Sequence, residues 1–243
     1  RCGRISRRRR RCNNGERFIK KIIASLSVEE VGKGKVLLML HGYGANKESF
    51  VRQIRFFSGY FRVIAVDMSG FGESPPLKYP YSVGDYAEEI KNVIDEIGER
   101  KIYVLAHSFG ARVAVKLAGS DDRIEKIIFT GAAGLKPRRS VRYKVKRALF
   151  LLLKKFVNKE KLVKFYSEDY RSLSPVMKES FIKIVNEDLK ERYAAIKIPA
   201  LLIFGDKDKE TPLYMARKMN RLVKNSKLIV IKNAGHFCFV DKP

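Results

Sequence analysis

The sequence has few cysteines and no long apolar run. Its three cysteines, Cys2, Cys12 and Cys238, are too few and too scattered for a disulfide framework or a zinc site. The longest apolar run covers residues 148–153, whereas a membrane-spanning helix needs about 20 residues. The basic beginning is not followed by the apolar segment of a signal peptide. We therefore expect a cytoplasmic protein, in a reducing compartment, without a transmembrane helix.

Acidic residues are also scarce, and the imbalance is local. The 243 residues include 51 Lys and Arg against 26 Asp and Glu, a net charge of +25. Residues 1–20 carry +8 and residues 136–164 carry +11, so the remainder has an ordinary protein surface. Five consecutive arginines at 7–11 predict a disordered or non-native tail over residues 1–16. The less favoured alternative is an arm that binds nucleic acid or an anionic membrane.

Apolar segments are frequent enough to build a large core. Hydrophobic residues make up 45% of the chain, which excludes disorder along its whole length. Short apolar runs that alternate with helical stretches predict an α/β fold, with a mostly parallel central sheet covered by helices on both faces. The predicted strands are 35–40, 61–66, 101–106, 124–130, 200–204 and 228–231, and the predicted helices are 46–58, 83–98, 107 to about 119 and 213–223.

Residues 136–195 interrupt this alternation. They show helical periodicity and no convincing strand, so we predict a helical cap over the C-terminal edge of the sheet, where open α/β sheets bind ligands. The simplest interpretation of its positive charge is a solvated lid. The alternatives are a lid that attracts carboxylate- or phosphate-bearing substrates and a non-catalytic surface that binds anionic partners.

The segment AHSFGA at 106–111 is the strongest chemical signal, because it follows a predicted strand and opens a predicted helix. Small residues two positions before and after Ser108, namely Ala106 and Gly110, allow the tight turn of a nucleophile elbow. That turn exposes the serine oxygen at a helix N-terminus, which favours developing negative charge. We predict a nucleophile at Ser108; a helix N-cap serine is the alternative.

A serine nucleophile needs a base, and the chain has three histidines. His107 adjoins Ser108, so its side chain should point elsewhere. His41 lies just past the first parallel strand. His236 alone combines a loop position after the last strand with a place beyond Ser108 in chain order. We predict that His236 is the general base rather than a structural histidine.

An acid that orients His236 should follow an intermediate strand. The loop 205–212 does so, and it supplies Asp206, Asp208 and Glu210. The chain order of serine, acid and histidine is then that of a nucleophile-elbow enzyme. A polar loop that caps the next helix through Asp206 or Thr211 is the alternative.

A tetrahedral intermediate also needs two backbone N–H donors. Phe109, the residue after the predicted nucleophile, supplies one. The turn HGYG at 41–44 can supply the other through Tyr43, and its glycines let the chain approach a substrate closely. We predict an oxyanion hole formed by these two amides.

The order of these motifs resembles the cap-bearing branch of the α/β-hydrolase superfamily, from about residue 17 to the end. The motifs are HGYG at 41–44, DMSGFGES at 67–74, AHSFGA at 106–111, GDKDKETP at 205–212 and NAGHF at 233–237. The resemblance implies the site roles given above. The family spacing Gly-x-x-Asp-x-x-x-Pro favours Asp208 over Asp206. Residues 67–74 match a structural loop without a catalytic role.

The resemblance also implies domain boundaries. The first core segment covers residues 17–135, the cap 136–195 and the second core segment 196–243. Two departures are expected: residues 1–16 do not look like the family's opening hairpin, and the chain stops before its closing helix. We therefore expect a C-terminally truncated core.

These expectations combine into a function. We predict a serine hydrolase that cleaves an ester or thioester of a small carboxylic acid, without a metal or organic cofactor. Its partner is a small acyl substrate, and an anionic one would suit the basic cap. The same triad could instead cleave carbon–carbon bonds in vinylogous diketones or transfer acyl groups. Substrate identity does not follow from the sequence, since fold resemblance does not carry it.

Overall fold

The computed structural model describes residues 18–137 and 172–243. The predicted tail at 1–16 and the central part of the predicted cap, residues 138–171, lie outside these described residues. No helix within the described ranges has both the length and the apolar character needed to cross a membrane.

An eight-stranded sheet forms the centre of the fold. Its strands are β1 (Ile19–Ile23), β2 (Leu26–Val31), β3 (Val36–Leu40), β4 (Arg62–Val66), β5 (Ile102–His107), β6 (Ile124–Thr130), β7 (Ala200–Gly205) and β8 (Ser226–Ile231). Their order is β1-β2-β4-β3-β5-β6-β7-β8. Neighbours from β4 to β8 pair in parallel, whereas β2 pairs antiparallel with both β1 and β4. The predicted α/β fold class is confirmed, and every strand predicted from an apolar run is present.

The first two strands correct one expectation. The opening antiparallel hairpin is not missing; it lies after residues 1–16, in β1 and β2. Its two-residue turn is Ala24-Ser25, with φ values of 47° and 70°. Turns of this kind normally carry Asn and Gly, because both residues need a positive φ. The usual sequence signal is therefore absent, and the largely exposed IKKII segment of β1 shows no alternation that could replace it.

Helices of the described ranges, all but the short last one at 238–241, lie where the sequence predicts helical structure. They are a 3-10 turn (Lys47–Phe50), α1 (Val51–Phe57), α2 (Val83–Ile97), α3 (Phe109–Ala118), α4 (Pro175–Asn186), α5 (Lys190–Ala194), α6 (Leu213–Leu222) and α7 (Cys238–Asp241). Helix α2 begins with a capping box of Ser82 and Asp85 and ends at Gly98 in the left-handed conformation. Both are favoured helix boundaries. Helices α4 and α5 lie within the predicted cap.

The central strands are buried on both faces. All five residues of β3 are buried. One apolar cluster joins α2, α3 and α4 to one face of the sheet, and a second joins α1 to the other face. Full burial of each large apolar side chain contributes about 2 kcal/mol. Because parallel strands end at one edge, the loops after β3, β5, β7 and β8 gather there and bring the predicted site residues together.

Candidate active site

Ser108 occupies a strained turn between β5 and α3. Its φ of 50° and ψ of −106° fall outside the regions that ordinary residues favour. The turn is held from both sides: the amide of Ser108 donates to the carbonyl of Thr130 at 3.0 Å, and its carbonyl accepts from the amide of Ala133 at 3.2 Å. Strain of this kind persists only where the surroundings enforce it, and it is typical of functional sites.

The narrow space at position 110 explains why the residue two positions after the serine is small. A β-carbon at Gly110 would lie 2.3 Å from the carbonyl oxygen of Leu40. The amide of Gly110 instead donates to the carbonyl of His41 at 3.0 Å. The start of α3 is thereby fixed directly against the end of β3, where the turn 41–44 begins.

His236 contacts Ser108 directly. Its Nε2 lies 2.9 Å from Oγ of Ser108, across 128 residues of sequence. Two glycines let its loop come this close to the sheet. A β-carbon at Gly205 would lie 2.2 Å from the carbonyl oxygen of Ala234, and one at Gly131 would lie 3.0 Å from Nδ1 of His236. The loop after β8 is therefore packed onto the ends of β6 and β7.

Asp208 completes a chain of hydrogen bonds. Its Oδ2 lies 2.9 Å from Nδ1 of His236, and its side chain is fully buried. Asp206 is exposed, so of the two aspartates that the loop offered, the structure brings Asp208 to the histidine. Neither Asp206 nor Thr211 caps the following helix, since α6 has no side-chain cap.

The surroundings of Asp208 keep it ionised. The amides of Glu210 and Thr211 donate to Oδ1 at 2.9 Å and 2.8 Å, and the hydroxyl of Thr211 donates to Oδ2 at 2.8 Å. Burial favours the neutral carboxyl, but the hydrogen bonds from His236 and Thr211 outweigh it and lower the pKa of Asp208. An ionised Asp208 accepts a hydrogen bond from the Nδ1–H of His236, which holds the ring in the tautomer whose Nε2 is free to accept a proton from Ser108.

The other two histidines are buried and neutral. Nδ1 of His41 donates to the carbonyl of Gly42 at 2.7 Å, and its Nε2 accepts from the amide of Met68 at 3.1 Å. Burial lowers the pKa of His41 to about 4. His41 therefore fastens the turn 41–44 to the loop 67–74 and is not available as a base.

His107 does not point away from the site altogether. Its ring centroid lies 4.8 Å from that of His236, and its Nδ1 donates to the carbonyl of Thr130 at 2.9 Å. Burial, assisted by the neighbouring His236, lowers the pKa of His107 to about 3. Within residues 18–137 and 172–243, its Nε2 is the buried side-chain polar atom that lacks a hydrogen-bond partner. His107 is therefore a neutral side chain that packs beside the ring of His236.

The two predicted oxyanion donors lie on neighbouring elements. Phe109 is the first residue of α3, where backbone N–H groups have no acceptor within the helix. Tyr43 lies in the turn 41–44, which is joined to α3 by the hydrogen bond from Gly110 to His41. The ring of Tyr43 packs edge-on against that of Phe109, with centroids 5.5 Å apart. The two amides thus belong to two segments that contact each other, the turn 41–44 and the start of α3.

Asp67 makes contacts that hold the loop 67–74 in place. It forms a buried ion pair with Lys47, and its Oδ2 also accepts from the amide of Glu73 at 2.9 Å. A β-carbon at Gly72 would lie 2.2 Å from this carboxylate, which explains the glycine. The contacts agree with a structural loop.

Sequence reasoning missed two contributors to the site. It treated Thr211 only as a possible helix cap, although the hydroxyl supports Asp208. It gave no role to Arg112, a buried guanidinium on α3 that bonds to α4. Both contacts join segments that are distant in the chain or depend on loop geometry, so no local pattern signals them. Within the described part of the chain, no group of three histidine, cysteine or acidic side chains could hold a metal ion.

Comparison with known proteins gives consistent similarities. The family model for the alpha/beta hydrolase fold matches residues 35–156 and 133–243. The chain is 26% identical over 247 residues to the AB hydrolase superfamily protein YisY of Bacillus subtilis, covering 90% of this chain and 91% of that protein. It is 24% identical to the pimeloyl-acyl-carrier-protein methyl ester esterase of Aliivibrio fischeri, covering 89% and 92%.

The similarity extends to solved structures. An esterase from Exiguobacterium antarcticum superposes with a TM-score of 0.72 at 25% sequence identity, covering 96% of this chain and 93% of the esterase. The sequence and structural comparisons therefore both extend over most of the chain.

Proposed function

The chain is an enzyme of the α/β-hydrolase family, and on that premise we propose that it is a serine hydrolase acting on an ester or thioester of a small carboxylic acid. The observation that carries the proposal is the continuous hydrogen-bond chain from Oγ of Ser108 through His236 to Asp208. Two of the relatives described above are named esterases, which supports ester cleavage over other reactions of the same triad.

In the acylation step, Oγ of Ser108 attacks the acyl carbonyl carbon while its proton moves to Nε2 of His236. Asp208 stabilises the resulting imidazolium and keeps the ring oriented. The backbone amides of Tyr43 and Phe109 bind the oxyanion of the tetrahedral intermediate. The intermediate collapses as the carbon–oxygen or carbon–sulfur bond to the leaving group breaks, and His236 returns the proton to that group.

Deacylation repeats the sequence with water. His236 takes a proton from the water molecule as it attacks the acyl-enzyme. The second tetrahedral intermediate then breaks its bond to Oγ of Ser108, His236 returns the proton to that oxygen, and the acid is released. No step requires a cofactor. His107 stays neutral throughout, because burial holds its pKa near 3.

The proposal includes a helical cap at 136–195, between core segments 17–135 and 196–243. It is supported by α4 and α5, which lie between β6 and β7 in the chain. Helix α4 reaches the turn 41–44, since Phe181 packs against Tyr43 with centroids 5.0 Å apart. The substrate is a small acyl compound, and the basic cap suits an anionic one. A cytoplasmic location is also part of the proposal and fits the free thiol of Cys238.

Labelling by a fluorophosphonate probe, together with hydrolysis of p-nitrophenyl esters of increasing acyl length, tests the proposal. We expect wild-type labelling and turnover, and loss of both in Ser108→Ala. Ser120→Ala is the matched control, because Ser120 is an exposed residue just after the other end of α3. Labelling that persists in Ser108→Ala would refute the nucleophile. Turnover of a vinylogous diketone without turnover of esters would favour carbon–carbon bond hydrolysis.

A further inference from the structure

Helix α4 is hydrogen-bonded near both of its ends to elements of the candidate site. Near its start, the hydroxyl of Tyr43 donates to the carbonyl of Met177 at 3.0 Å. Near its end, Nη1 of Arg112 donates to the carbonyls of Ile184 at 2.8 Å and Glu187 at 3.0 Å. The helix therefore bridges the turn 41–44 and helix α3.

Each of these two anchor points lies on an element that carries a proposed oxyanion donor. Tyr43 is itself the residue whose backbone amide is one oxyanion donor. Arg112 lies one helical turn after Ser108 on α3, and Phe109 at the start of the same helix provides the other donor. A single helix thus connects the two elements whose spacing defines the oxyanion hole.

Each anchor is well fixed. Arg112 is 8% exposed, and its guanidinium donates to carbonyls at the C-terminal end of α4, where helices lack internal donors and carry partial negative charge. The ring of Tyr43 packs edge-on against Phe71 and Phe181, with centroids 4.9 Å and 5.0 Å away. Because Phe181 belongs to α4, packing and hydrogen bonding hold the turn to the same helix.

We propose that α4 braces the oxyanion hole, with the Tyr43 hydroxyl and the Arg112 guanidinium as positioning residues that set the spacing of its two amide donors. The inference rests on the proposed function. An oxyanion hole works only when its donors are preorganised at hydrogen-bonding distance from the developing charge. Losing either anchor should therefore weaken binding of the tetrahedral state more than binding of the substrate.

The test uses Tyr43→Phe, which removes only the hydroxyl, and Arg112→Met, which removes the cation but keeps a long side chain. The readouts are kcat and KM for p-nitrophenyl acetate and the Kd of phenylboronic acid, whose tetrahedral adduct with serine occupies the oxyanion hole. Complete loss of one such donor costs about 10²–10³-fold in rate. We expect displacement to lower kcat and weaken boronate binding by about tenfold in each variant, with KM changed less than about twofold.

Two further variants sharpen the test. Ser180→Ala is the matched control, because the hydroxyl of Ser180 also ties α4 to the protein, but through a 2.8 Å hydrogen bond to the carbonyl of Tyr81, which lies on neither donor-bearing element. It should leave kcat and boronate binding unchanged. Arg112→Lys keeps the positive charge and should restore part of the loss in Arg112→Met. Circular dichroism confirms that each variant is folded; if Arg112→Met does not fold, Tyr43→Phe alone decides.

The outcomes separate the two proposals. Wild-type boronate affinity no greater than that of Ser108→Ala would remove the proposed function and the brace together. Wild-type affinity that depends on Ser108 but is unchanged in Tyr43→Phe would remove the brace alone. A rise in KM with unchanged kcat would likewise overturn it, since that result indicates substrate binding rather than oxyanion stabilisation.

Discussion

The hydroxyl of Thr211 donates a 2.8 Å hydrogen bond to Oδ2 of Asp208, the same oxygen that lies 2.9 Å from Nδ1 of His236. Thr211 thereby shares the carboxylate with the proposed base. Because this bond favours the ionised carboxylate, it contributes to the lowered pKa of Asp208. The threonine fixes which oxygen faces the histidine and how the carboxylate is turned.

Thr211→Val should therefore slow turnover without removing any member of the proposed triad. Valine has nearly the same shape and keeps the amide that donates to Oδ1 of Asp208. A hydrogen bond to a charged group contributes about 1.5–3 kcal/mol, so we expect kcat to fall by about tenfold with little change in KM. Steady-state kinetics on a p-nitrophenyl ester measure both. An unchanged kcat would mean that the two amides alone hold Asp208 in place.

Asp208→Asn should have a larger effect than Thr211→Val. An asparagine amide in this position can favour the wrong tautomer of His236, and the corresponding change in a serine protease lowers kcat by about 10⁴-fold. We expect a loss of at least about 10³-fold, measured by single-turnover acylation. Asp206→Asn is the control, because Asp206 is exposed, and it should retain wild-type activity. Comparable losses in the two variants would contradict the assignment of Asp208.

Gly110→Ala should destabilise the fold at the base of the site. The added β-carbon would lie 2.3 Å from a backbone oxygen, that of Leu40, and neither β3 nor α3 can move without breaking other contacts. Forced overpacking costs about 1–3 kcal/mol or more. Gly119→Ala, just after the end of the same helix, meets nothing closer than 3.8 Å and should be nearly neutral. Urea unfolding compares the two, and equal stabilities would contradict the tight contact.

The sequence predicted most of the fold because its signals there are local. Strands β3 to β8 are apolar runs of nearly the right length, and helix α2 has both a capping box and a terminal glycine. The hairpin of β1 and β2 was missed because Ala24 and Ser25 adopt positive φ values without the residues that normally announce them. A turn enforced by the surrounding sheet leaves no sequence pattern.

The candidate site likewise contains residues that short sequence motifs signal and a residue that no local pattern signals. Ser108, His236 and Asp208 lie in short motifs at strand ends, so a sequence can suggest them and the parallel sheet brings them to one edge. The bonds from Arg112 to the carbonyls of Ile184 and Glu187 join residues that are 72 and 75 positions apart in the chain, and an arginine on a helix normally indicates an exposed surface. Only the hydrogen bonds from Arg112 to the end of α4 in the folded protein reveal this contact.

Burial of two neutral histidines predicts how stability depends on pH. The pKa of His107 is lowered to about 3 and that of His41 to about 4, against about 6.5 in an unfolded chain. Between these values the unfolded state binds more protons, so the free energy of unfolding should fall as the pH decreases from 6.5 to 5. Each histidine contributes up to about 1.4 kcal/mol per pH unit. Urea unfolding at several pH values measures the slope.

His107→Phe isolates one of these contributions. Phenylalanine keeps a ring beside His236 but cannot take up a proton. Loss of the bond to the carbonyl of Thr130 should lower the free energy of unfolding by about 1 kcal/mol above pH 7, where the histidine is neutral in both states. Between pH 6.5 and 5 the slope of stability against pH should be smaller than in the wild type by up to about 1.4 kcal/mol per pH unit. The slope, rather than the absolute stability, is the diagnostic quantity. A slope equal to that of the wild type would show that His107 is not a buried neutral residue.

The net charge of +11 on residues 136–164 predicts that ionic strength changes the rate with charged substrates. If this basic segment attracts anionic acyl groups, kcat/KM for p-nitrophenyl hemisuccinate should fall by about tenfold between 20 mM and 500 mM salt, because screening shortens the reach of the field from about 20 Å to about 4 Å. The neutral acetate ester is the internal control and should be nearly insensitive to salt. Replacing Lys154 and Lys155 with glutamine should reduce the salt dependence of the anionic ester alone. If both esters respond equally to salt, the basic segment does not steer substrates, and its charge serves only as a solvated surface.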